Sequence, residues 1–294
     1  MDALKVALVK ALLRFFSTLP LALARSLGRG AAAIYWHIGG RARDVTERNV
    51  ALAFPQLEAA EQDQLARSSL AATGELMAEM GRVWLRPWSR LVPRINVCGD
   101  ELIADALAQG RGVLVLVPHC GNWEVVGLHL AQLGPVVSLY QPPALEGLGR
   151  LISQARQSTG AKLVPTDKTG IGELLRALRA GQIAGLLPDQ VPADPTAGEN
   201  APFMGVPCFT GTLAARLLQR TGALAVTGCA ERIAGGFALR YRLADQAVYS
   251  EDMQQALVAI NDEVESCLRG CPEQYQWEYK RFRVRPRRGP GVYD

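Results

Sequence analysis

The spacing of apolar and polar positions along the chain changes near residue 95. Before that point, apolar residues recur every three or four positions, which predicts helices over residues 3–26, 44–53 and 58–84. After it, short apolar runs alternate with amphipathic stretches. The runs predict strands at 113–117, 136–140, 162–164, 183–187, 224–230 and 237–243, and the stretches predict helices at 122–133, 148–158, 172–180, 212–221 and 253–269.

This alternation is typical of an α/β fold, in which helices cover both faces of a mostly parallel central sheet. We divide the chain into an amphipathic helix at 1–26, which we expect to associate with a membrane, a helical N-terminal region at 27–95 and an α/β core at 96–294. In such sheets the active site lies at the carboxyl ends of strands. The residues that follow the predicted strands at 113–117 and 183–187 are therefore the first candidates.

The N-terminal segment is apolar, but Lys5, Lys10 and Arg14 interrupt it. Its longest uncharged run, residues 15–24, is too short to span a bilayer. On a helical wheel one face collects the apolar residues Leu4, Leu8, Ala11, Leu12, Phe15 and Leu19. A basic amphipathic helix is typical of the membrane interface, and packing on the protein's own core is the alternative.

The net charge of +4 is distributed unevenly along the chain. Residues 1–25 carry a net charge of +3 and residues 280–294 carry +5, so the middle of the chain is mildly acidic. Basic ends suit either nucleic acid or an anionic membrane surface. Aromatic residues make up 6% of the chain and form no stacking pattern around the basic tail, which argues against nucleic acid as a partner.

Cysteine and histidine usage argues against a metal site or a cofactor. The six cysteines form no C-x-x-C pair, and only three histidines are present to complete a ligand set. The chain has no P-loop and no dinucleotide-binding glycine fingerprint. We expect a reducing, cytoplasmic-side environment with mostly buried thiols.

The residues after the predicted strand at 113–117 carry the candidate chemistry. They read PHCGNWE at 118–124, with His119 and Glu124 five positions apart. On a continuous helix these two side chains would diverge by about 140°, but Pro118 and Gly121 predict a turn that lets them converge. Histidine is a suitable general base for a hydroxyl group, and a carboxylate fixes its tautomer. Backbone N–H groups at the start of the next helix are suited to bind an oxyanion.

Five segments in order carry a family resemblance. They read RNVALAFP at 48–55, VLVLVPHCGNWE at 113–124, GQIAGLLPDQ at 181–190, FMG at 203–205 and YQWEYKRFR at 275–283. Together they resemble the bacterial lipid A late acyltransferases, the lauroyl/myristoyl transferase family with an H-x4-[D/E] motif. The resemblance covers most of the chain and implies that residues 96–294 form the acyltransferase core of a single catalytic domain.

The resemblance also implies roles for individual residues. His119 is expected to be the general base and Glu124 its partner. Arg156 matches a family arginine that assists catalysis or binds a substrate anion. Asp189 is expected to orient His119 or a substrate group, with a cap or turn role as the alternative. Asn122 is expected to hold the loop together or to reach the acceptor.

The expected reaction moves a fatty acyl chain from an acyl–acyl carrier protein to a hydroxyl group of a lipid A precursor, in lipopolysaccharide biosynthesis. The resemblance places it on the cytoplasmic face of the bacterial inner membrane, as a peripheral or monotopic protein without a metal, a cofactor or nucleic acid. Arg150, Arg156 and the basic run at 280–288 are candidates to contact a phosphorylated sugar lipid. An acidic carrier protein would favour a basic surface.

The sequence departs from the family pattern at two places. Its N-terminal segment is short and basic, and Met204 stands where many relatives have a second phenylalanine. Three alternatives stay open. Cys120 is a possible nucleophile beside His119, a lysophospholipid or another glycolipid is a possible acceptor, and a non-catalytic membrane- or nucleic-acid-binding protein would also have a basic tail.

Overall fold

The computed structural model describes residues 2–143, 146–284 and 291–294. The helices in these residues are α1 (Asp2–Thr18), α2 (Leu21–Ile38), α3 (Arg41–Ala53), α4 (Ala59–Leu85), α5 (Glu101–Ala108), α6 (Trp123–Leu133), α7 (Glu146–Gln157), α8 (Lys168–Arg179), α9 (Leu213–Thr221) and α10 (Met253–Leu268). The strands are β1 (Ile95–Cys98), β2 (Val113–Leu116), β3 (Val136–Tyr140), β4 (Lys162–Pro165), β5 (Ile183–Leu186), β6 (Gly198–Phe203), β7 (Val206–Gly211), β8 (Leu224–Ile233) and β9 (Gly236–Leu243).

The central sheet has seven strands in the order β1-β9-β8-β2-β5-β3-β4. Neighbouring strands are parallel except β8 and β9, which form an antiparallel pair. The predicted α/β class with a mostly parallel sheet is therefore confirmed. β2 lies in the middle of the sheet between β8 and β5, so its carboxyl end is flanked by two parallel neighbours.

Helices cover both faces of this sheet, as predicted. Alternate residues of a strand point to opposite faces, and β2 shows this division. Leu114 and Leu116 pack into one buried cluster with residues of α8, α9 and α10. Val113 and Val115 pack into a second cluster with residues of α5 and α6. All four side chains are fully buried, which explains why the sequence at β2 is a continuous apolar run.

The N-terminal helices depart from the prediction. The helix predicted at 3–26 is wrong in its extent, because Pro20 separates α1 from α2. Proline has no backbone N–H and disfavours a helical conformation at the residue before it. α2 then packs so closely on α4 that a Cβ atom on Gly28 would lie 2.2 Å from the carbonyl oxygen of Gly74. Across the part of the chain that the structure describes, no helix is both long and apolar enough to cross a membrane.

α1 has one packed face and one exposed face. Leu13 is buried with Leu76 and Met80 of α4. The opposite face leaves four large apolar residues in contact with solvent, Leu4, Leu8, Leu12 and Phe15. These four belong to the apolar face predicted from the sequence, so α1 packs on the protein without burying that face.

The sequence pattern missed β1, α5 and the β6–β7 hairpin. β1 is a four-residue edge strand with three exposed residues, so no apolar run marks it. The hairpin strands contain Pro202 and Pro207, which face each other, and proline lowers the strand propensity of a segment. Met204 and Gly205 form the hairpin turn and both have positive φ values, 50° and 73°. Met204 therefore occupies a turn position and is not among the residues that line the cleft beside His119, which is described below.

The segment at 275–283 is hydrogen-bonded to the segment at 48–55, the last and first of the five segments that carry the family resemblance. The side-chain amide of Asn49 in α3 donates to the backbone oxygens of Trp277 and Tyr279, each at 2.7 Å. Arg281 is buried and donates to the Phe209 carbonyl at 2.9 Å. This member of the basic run at 280–288 is thus part of the core and not an acceptor contact, and Arg285, Arg287 and Arg288 lie outside the described residues.

Candidate active site

The carboxyl ends of β2 and β5 place His119 beside Asp189. The two strands are parallel neighbours, and Leu116 of β2 is paired with Leu186 of β5. His119 and Asp189 each follow their paired leucine by three residues, so the register brings them side by side. One Asp189 carboxylate oxygen accepts a hydrogen bond from the His119 backbone N–H at 2.8 Å. The other lies 2.8 Å from His119 Nδ1.

This contact fixes the state of the imidazole ring. Burial by itself raises the pKa of Asp189, but the His119 ring and the hydrogen bonds from His119 outweigh it and hold that pKa below its usual range. An ionised carboxylate only accepts hydrogen bonds, so Nδ1 carries a proton and donates it to Asp189. The Gln190 side-chain nitrogen lies 3.1 Å from Nε2. The Trp123 ring meets the imidazole edge to face, with centroids 4.8 Å apart.

Backbone contacts hold the loop that carries His119. Gly121 has a φ of 63°, and a Cβ atom there would lie 1.9 Å from the Ala230 carbonyl oxygen, so this position requires glycine. The Asn122 N–H donates to the same oxygen at 2.8 Å. The His119 carbonyl accepts from the Gln276 N–H at 3.0 Å. The C-terminal segment therefore supports the loop directly.

Glu124 does not contact His119 in the way that the sequence spacing predicted. Glu124 lies in the first turn of α6, is buried, and forms an ion pair with Arg156 of α7. Arg156 Nε lies 2.9 and 3.2 Å from the two carboxylate oxygens, and Nη2 adds a further hydrogen bond. Asp189 already occupies the Nδ1 side of His119, which leaves that position closed to Glu124. Glu124 and Arg156 nevertheless line the same cleft as His119.

The ion pair keeps Arg156 charged. Burial lowers the pKa of Arg156, but the negative charge of Glu124 and the hydrogen bond to it raise the pKa above its ordinary value. The guanidinium also lies over the Tyr140 ring, 5.3 Å from its centroid. A fixed cation thus lies at one side of the cleft, with Glu124 as its neutralising partner.

In the part of the chain that the structure describes, neither Asn122 nor Arg150 belongs to the lining of the cleft. Asn122 is fully buried and donates to Glu79 of α4 at 2.8 Å. Glu79 is also fully buried and accepts from Arg25 of α2 at 2.7 Å. Burial is the largest influence on Glu79 and raises its pKa, although Arg232 and Arg25 oppose the shift. Asn122 therefore holds the loop, one of its two predicted roles, while Arg150 is exposed on α7.

No pattern in the sequence marks Glu79 for this contact with the loop. It lies in a long helix whose polar residues all resemble solvent-facing ones, and only its contacts set it apart. Gln190 was part of the Asp-Gln segment, but its proximity to His119 Nε2 depends on the turn after β5.

The cleft beside these residues has a volume of about 440 Å³. Its polar lining comprises His119, Glu124, Ser138, Tyr140, Gln141, Arg156, Thr166 and Gln190. Its walls come from α6, α7, β3, β4 and β5 and include the apolar residues Leu128, Leu139, Ile152, Ala161, Leu163, Leu186 and Leu187. A largely apolar cleft with a histidine in its lining suits an acyl chain whose reacting group lies beside His119.

Cys120 does not have the properties of a nucleophile. It is fully buried, and its sulfur lies 3.8 Å from that of Cys271. Hydrogen bonds to the neighbouring thiols of Cys229 and Cys271, together with burial, raise the pKa of Cys120 well above its ordinary value. Over the residues that the structure describes, no group of three or more His, Cys, Asp or Glu side chains is placed to hold a metal ion.

The chain is similar to several known acyltransferases. The chain is 25% identical to the lipid A biosynthesis lauroyltransferase of Escherichia coli (strain K12), over 94% of this chain and 90% of that protein. It is 26% identical to the palmitoleoyltransferase of the same strain, over 84% of this chain and 80% of that protein. It is also 30% identical to a phosphatidylinositol mannoside acyltransferase of Mycolicibacterium smegmatis, over 52% of this chain and 50% of that protein.

The family model for bacterial lipid A biosynthesis acyltransferases matches residues 2–284. This match spans nearly the whole chain, from α1 to the C-terminal segment that supports the His119 loop. The chain therefore belongs to the bacterial lipid A biosynthesis acyltransferases, a family of O-acyltransferases.

Proposed function

We propose that the protein transfers a fatty acyl chain from an acyl–acyl carrier protein to a hydroxyl group of a lipid A precursor, in lipopolysaccharide biosynthesis. Family membership supplies the coarser statement, acyl transfer in lipid A biosynthesis. The carrier-protein donor, the position at the membrane and the role of each residue are our proposals.

The position of His119 Nε2 supports this proposal most directly. The His119 ring is held by Asp189 and lines a largely apolar cleft, where the acceptor hydroxyl would replace the Gln190 amide at Nε2. In the proposed reaction Nε2 takes the proton of the acceptor hydroxyl while the oxygen attacks the thioester carbonyl carbon. The tetrahedral intermediate then expels the thiolate of the carrier, which receives the proton from the imidazolium. Asp189 stabilises that imidazolium, and no acyl-enzyme is required.

Arg156 is proposed to stabilise negative charge during this step. Glu124 binds the Nε and Nη2 atoms of Arg156 and fixes the guanidinium at the cleft wall. The Nη1 donors remain to face an oxyanion or a substrate phosphate. Glu124 then acts on the reaction through Arg156 and not through His119. Arg150 is exposed on the same helix and is proposed to contact the phosphorylated acceptor or the acidic carrier.

The exposed face of α1 supports a peripheral position at a membrane. Leu4 and Leu8 are 77% and 69% exposed, and Lys10 and Arg14 lie on the same helix. Apolar side chains with flanking basic residues bind the interface of an anionic bilayer. We propose that α1 binds the cytoplasmic face of the bacterial inner membrane, where a lipid acceptor would be reached.

A mass-spectrometric transfer assay tests the reaction. Purified protein is mixed with lauroyl–acyl carrier protein and a tetra-acylated lipid A precursor, with and without Kdo, in detergent. We expect a mass gain of one lauroyl group, which His119→Ala abolishes. His37→Ala, which changes an exposed histidine of α2, is the matched control and should transfer at the wild-type rate. Full transfer by His119→Ala would contradict the general-base role.

A second acceptor class deserves the same assay. The similarity to a phosphatidylinositol mannoside acyltransferase favours a glycolipid acceptor of another kind as the alternative. Phosphatidylinositol mannosides and lysophospholipids are therefore tested in parallel with the same donor. Transfer to one of these but to no lipid A precursor would replace the proposed acceptor while leaving the role of His119 intact.

Vesicle flotation tests the membrane proposal. Leu8→Glu places a charge on the exposed face of α1 and is expected to reduce flotation with anionic vesicles. Met77→Glu changes another exposed apolar residue, on α4, and serves as the control. Equal flotation of wild type and Leu8→Glu would argue against α1 as the binding surface.

A further inference from the structure

α6 presents four residues to the cleft, Trp123, Glu124, Gly127 and Leu128. The helix begins at the carboxyl edge of the sheet beside His119, and the crossover from β2 to β3 makes it run back over the sheet. With a rise of 1.5 Å per residue, Gly127 lies about 4.5 Å further from that edge than Glu124. Gly127 therefore lines the cleft beyond the reacting groups.

Gly127 has no evident structural reason to be a glycine. It lies in the interior of α6, where glycine is less favourable than alanine. It is not among the glycines with positive φ, so its backbone does not require one. A Cβ atom at this position would meet no heavy atom within 4 Å, whereas Gly28 could not carry one beside Gly74. Neither the backbone nor close packing explains the residue.

The open space at Gly127 belongs to the cleft. Gly127 is exposed although Val126 and Leu128 on either side of it are buried, and the cleft is the space that it lines. Gly185 of β5 also lines the cleft, but a Cβ atom there would lie 2.8 Å from Ser138 Oγ. The strand wall is thus already filled, and a side chain at Gly127 would enter free volume.

We propose that Gly127 is a specificity-determining residue that leaves room for the distal methylenes of the acyl chain. A side chain at this position shortens the chain that the enzyme transfers. The inference rests on the proposed function, because it requires the acyl chain to occupy the cleft with its thioester beside His119. It assigns the length limit to the wall formed by α6.

Transfer rates for a series of donors test this assignment. Decanoyl-, lauroyl-, myristoyl- and palmitoyl-carrier proteins are compared for wild type, Gly127→Ala and Gly127→Leu. Each methylene that loses its place in the cleft lowers kcat/KM about fourfold, the factor that corresponds to burying one methylene. We expect the palmitoyl-to-decanoyl ratio to fall about tenfold or more in Gly127→Leu and less in Gly127→Ala.

Gly30→Leu is the matched control. Gly30 also lies inside a helix, α2, and a Cβ atom there would also meet nothing within 4 Å, but it does not line the cleft. This variant should keep the wild-type ratio of palmitoyl to decanoyl transfer. An equal fall in Gly30→Leu and Gly127→Leu would overturn the proposal, because the effect would then not come from the cleft.

Two further readouts separate the outcomes. Gly127→Ala should raise Tm by about 2 °C, since alanine favours the helix and the space is free; a lower Tm would show that the space is needed for packing and would overturn the proposal. An unchanged ratio in both Gly127 variants, with active wild type, would also overturn it while leaving the proposed function intact.

If the wild type transfers no acyl chain to any acceptor, the proposed function fails. Calorimetry then tests the inference by itself, by measuring the affinity of the protein for free fatty acids from decanoate through palmitate. The same shift toward shorter chains is expected in Gly127→Leu. Equal relative affinities in wild type and variant, or no binding of any fatty acid by the wild type, would contradict it.

Discussion

Replacing Asp189 by asparagine tests the partner of His119. Asp189 makes two hydrogen bonds of 2.8 Å to His119, one to the backbone N–H and one to Nδ1. The asparagine oxygen can still accept one of them, but its NH₂ group cannot accept the other. If the NH₂ group faces Nδ1, the imidazole must carry its proton on Nε2. The nitrogen that faces the cleft then has no lone pair to take a proton from the acceptor.

The expected loss is the contribution of general-base catalysis, a factor of about 100 to 10,000 in kcat/KM. This corresponds to about 3–5 kcal/mol of transition-state stabilisation. The substitution also changes the pH dependence of the free energy of unfolding. Since the pKa of Asp189 is lowered in the folded state, its contribution to stability is present above the usual aspartate range and is lost as the pH falls through the lowered value. The stability advantage of wild type over Asp189→Asn should therefore shrink on acidification.

Steady-state transfer of lauroyl groups measures this loss. Asp100→Asn is the control, because Asp100 Oδ2 also lies near a histidine, 3.8 Å from His129 Nε2, but away from the cleft. Its kcat/KM should stay within about twofold of wild type. In the double variant His119→Ala, Asp189→Asn, the losses should not multiply, because Asp189 acts through His119. Wild-type activity in Asp189→Asn, or multiplied losses in the double variant, would refute the reasoning.

Three other substitutions probe the neighbouring groups. Arg156→Lys should lower kcat/KM by about 10–100-fold, since lysine cannot reproduce the bidentate contact with Glu124; the lauroyl transfer assay measures this. Cys120→Ser should keep activity within about threefold, because the thiol is buried and its pKa is raised; a loss beyond 100-fold with intact folding would favour a cysteine nucleophile. The pKa of Glu79 is raised, so the stability of wild type relative to Glu79→Gln should fall as the pH rises above the usual glutamate range. Denaturant unfolding at several pH values checks this slope, and a slope of the opposite sign would contradict it.

The sheet and its helices could be predicted because their residues follow regular patterns. β2 and β5 are continuous apolar runs, and both are fully buried. The missed elements lack such patterns. β1 is exposed at the sheet edge, and the β6–β7 hairpin contains two prolines. Pro20 separates α1 from α2, but the apolar residues on both sides of it continue the helical pattern, so the pattern alone predicts one helix over 3–26.

The site residues could be named from the sequence, and the family resemblance offered Asp189 as one possible partner of His119, but the spacing along the chain could not decide the pairing. His119 and Glu124 are close in sequence, and the spacing favoured a local pair. The actual partner, Asp189, lies 70 residues away. Its position follows from the register of β2 against β5, and the strand order is not contained in the sequence pattern, because β5 is the third strand of the chain after β2. Each carboxylate has its own partner in the structure, since Glu124 binds Arg156 and Asp189 binds His119.

Buried charged side chains also connect residues on the two sides of the boundary that we drew at residue 95. Glu79 of α4 contacts Arg25 on one side and Asn122 of the loop that carries His119 on the other. Arg232 of β8 lies 3.8 Å from the same carboxylate and is almost fully buried. Removing one partner of a buried ion pair is costly, because the remaining charge has no water to solvate it. The helices before residue 95 therefore hold the loop that carries His119, and the change in sequence pattern at that residue does not mark a change in packing.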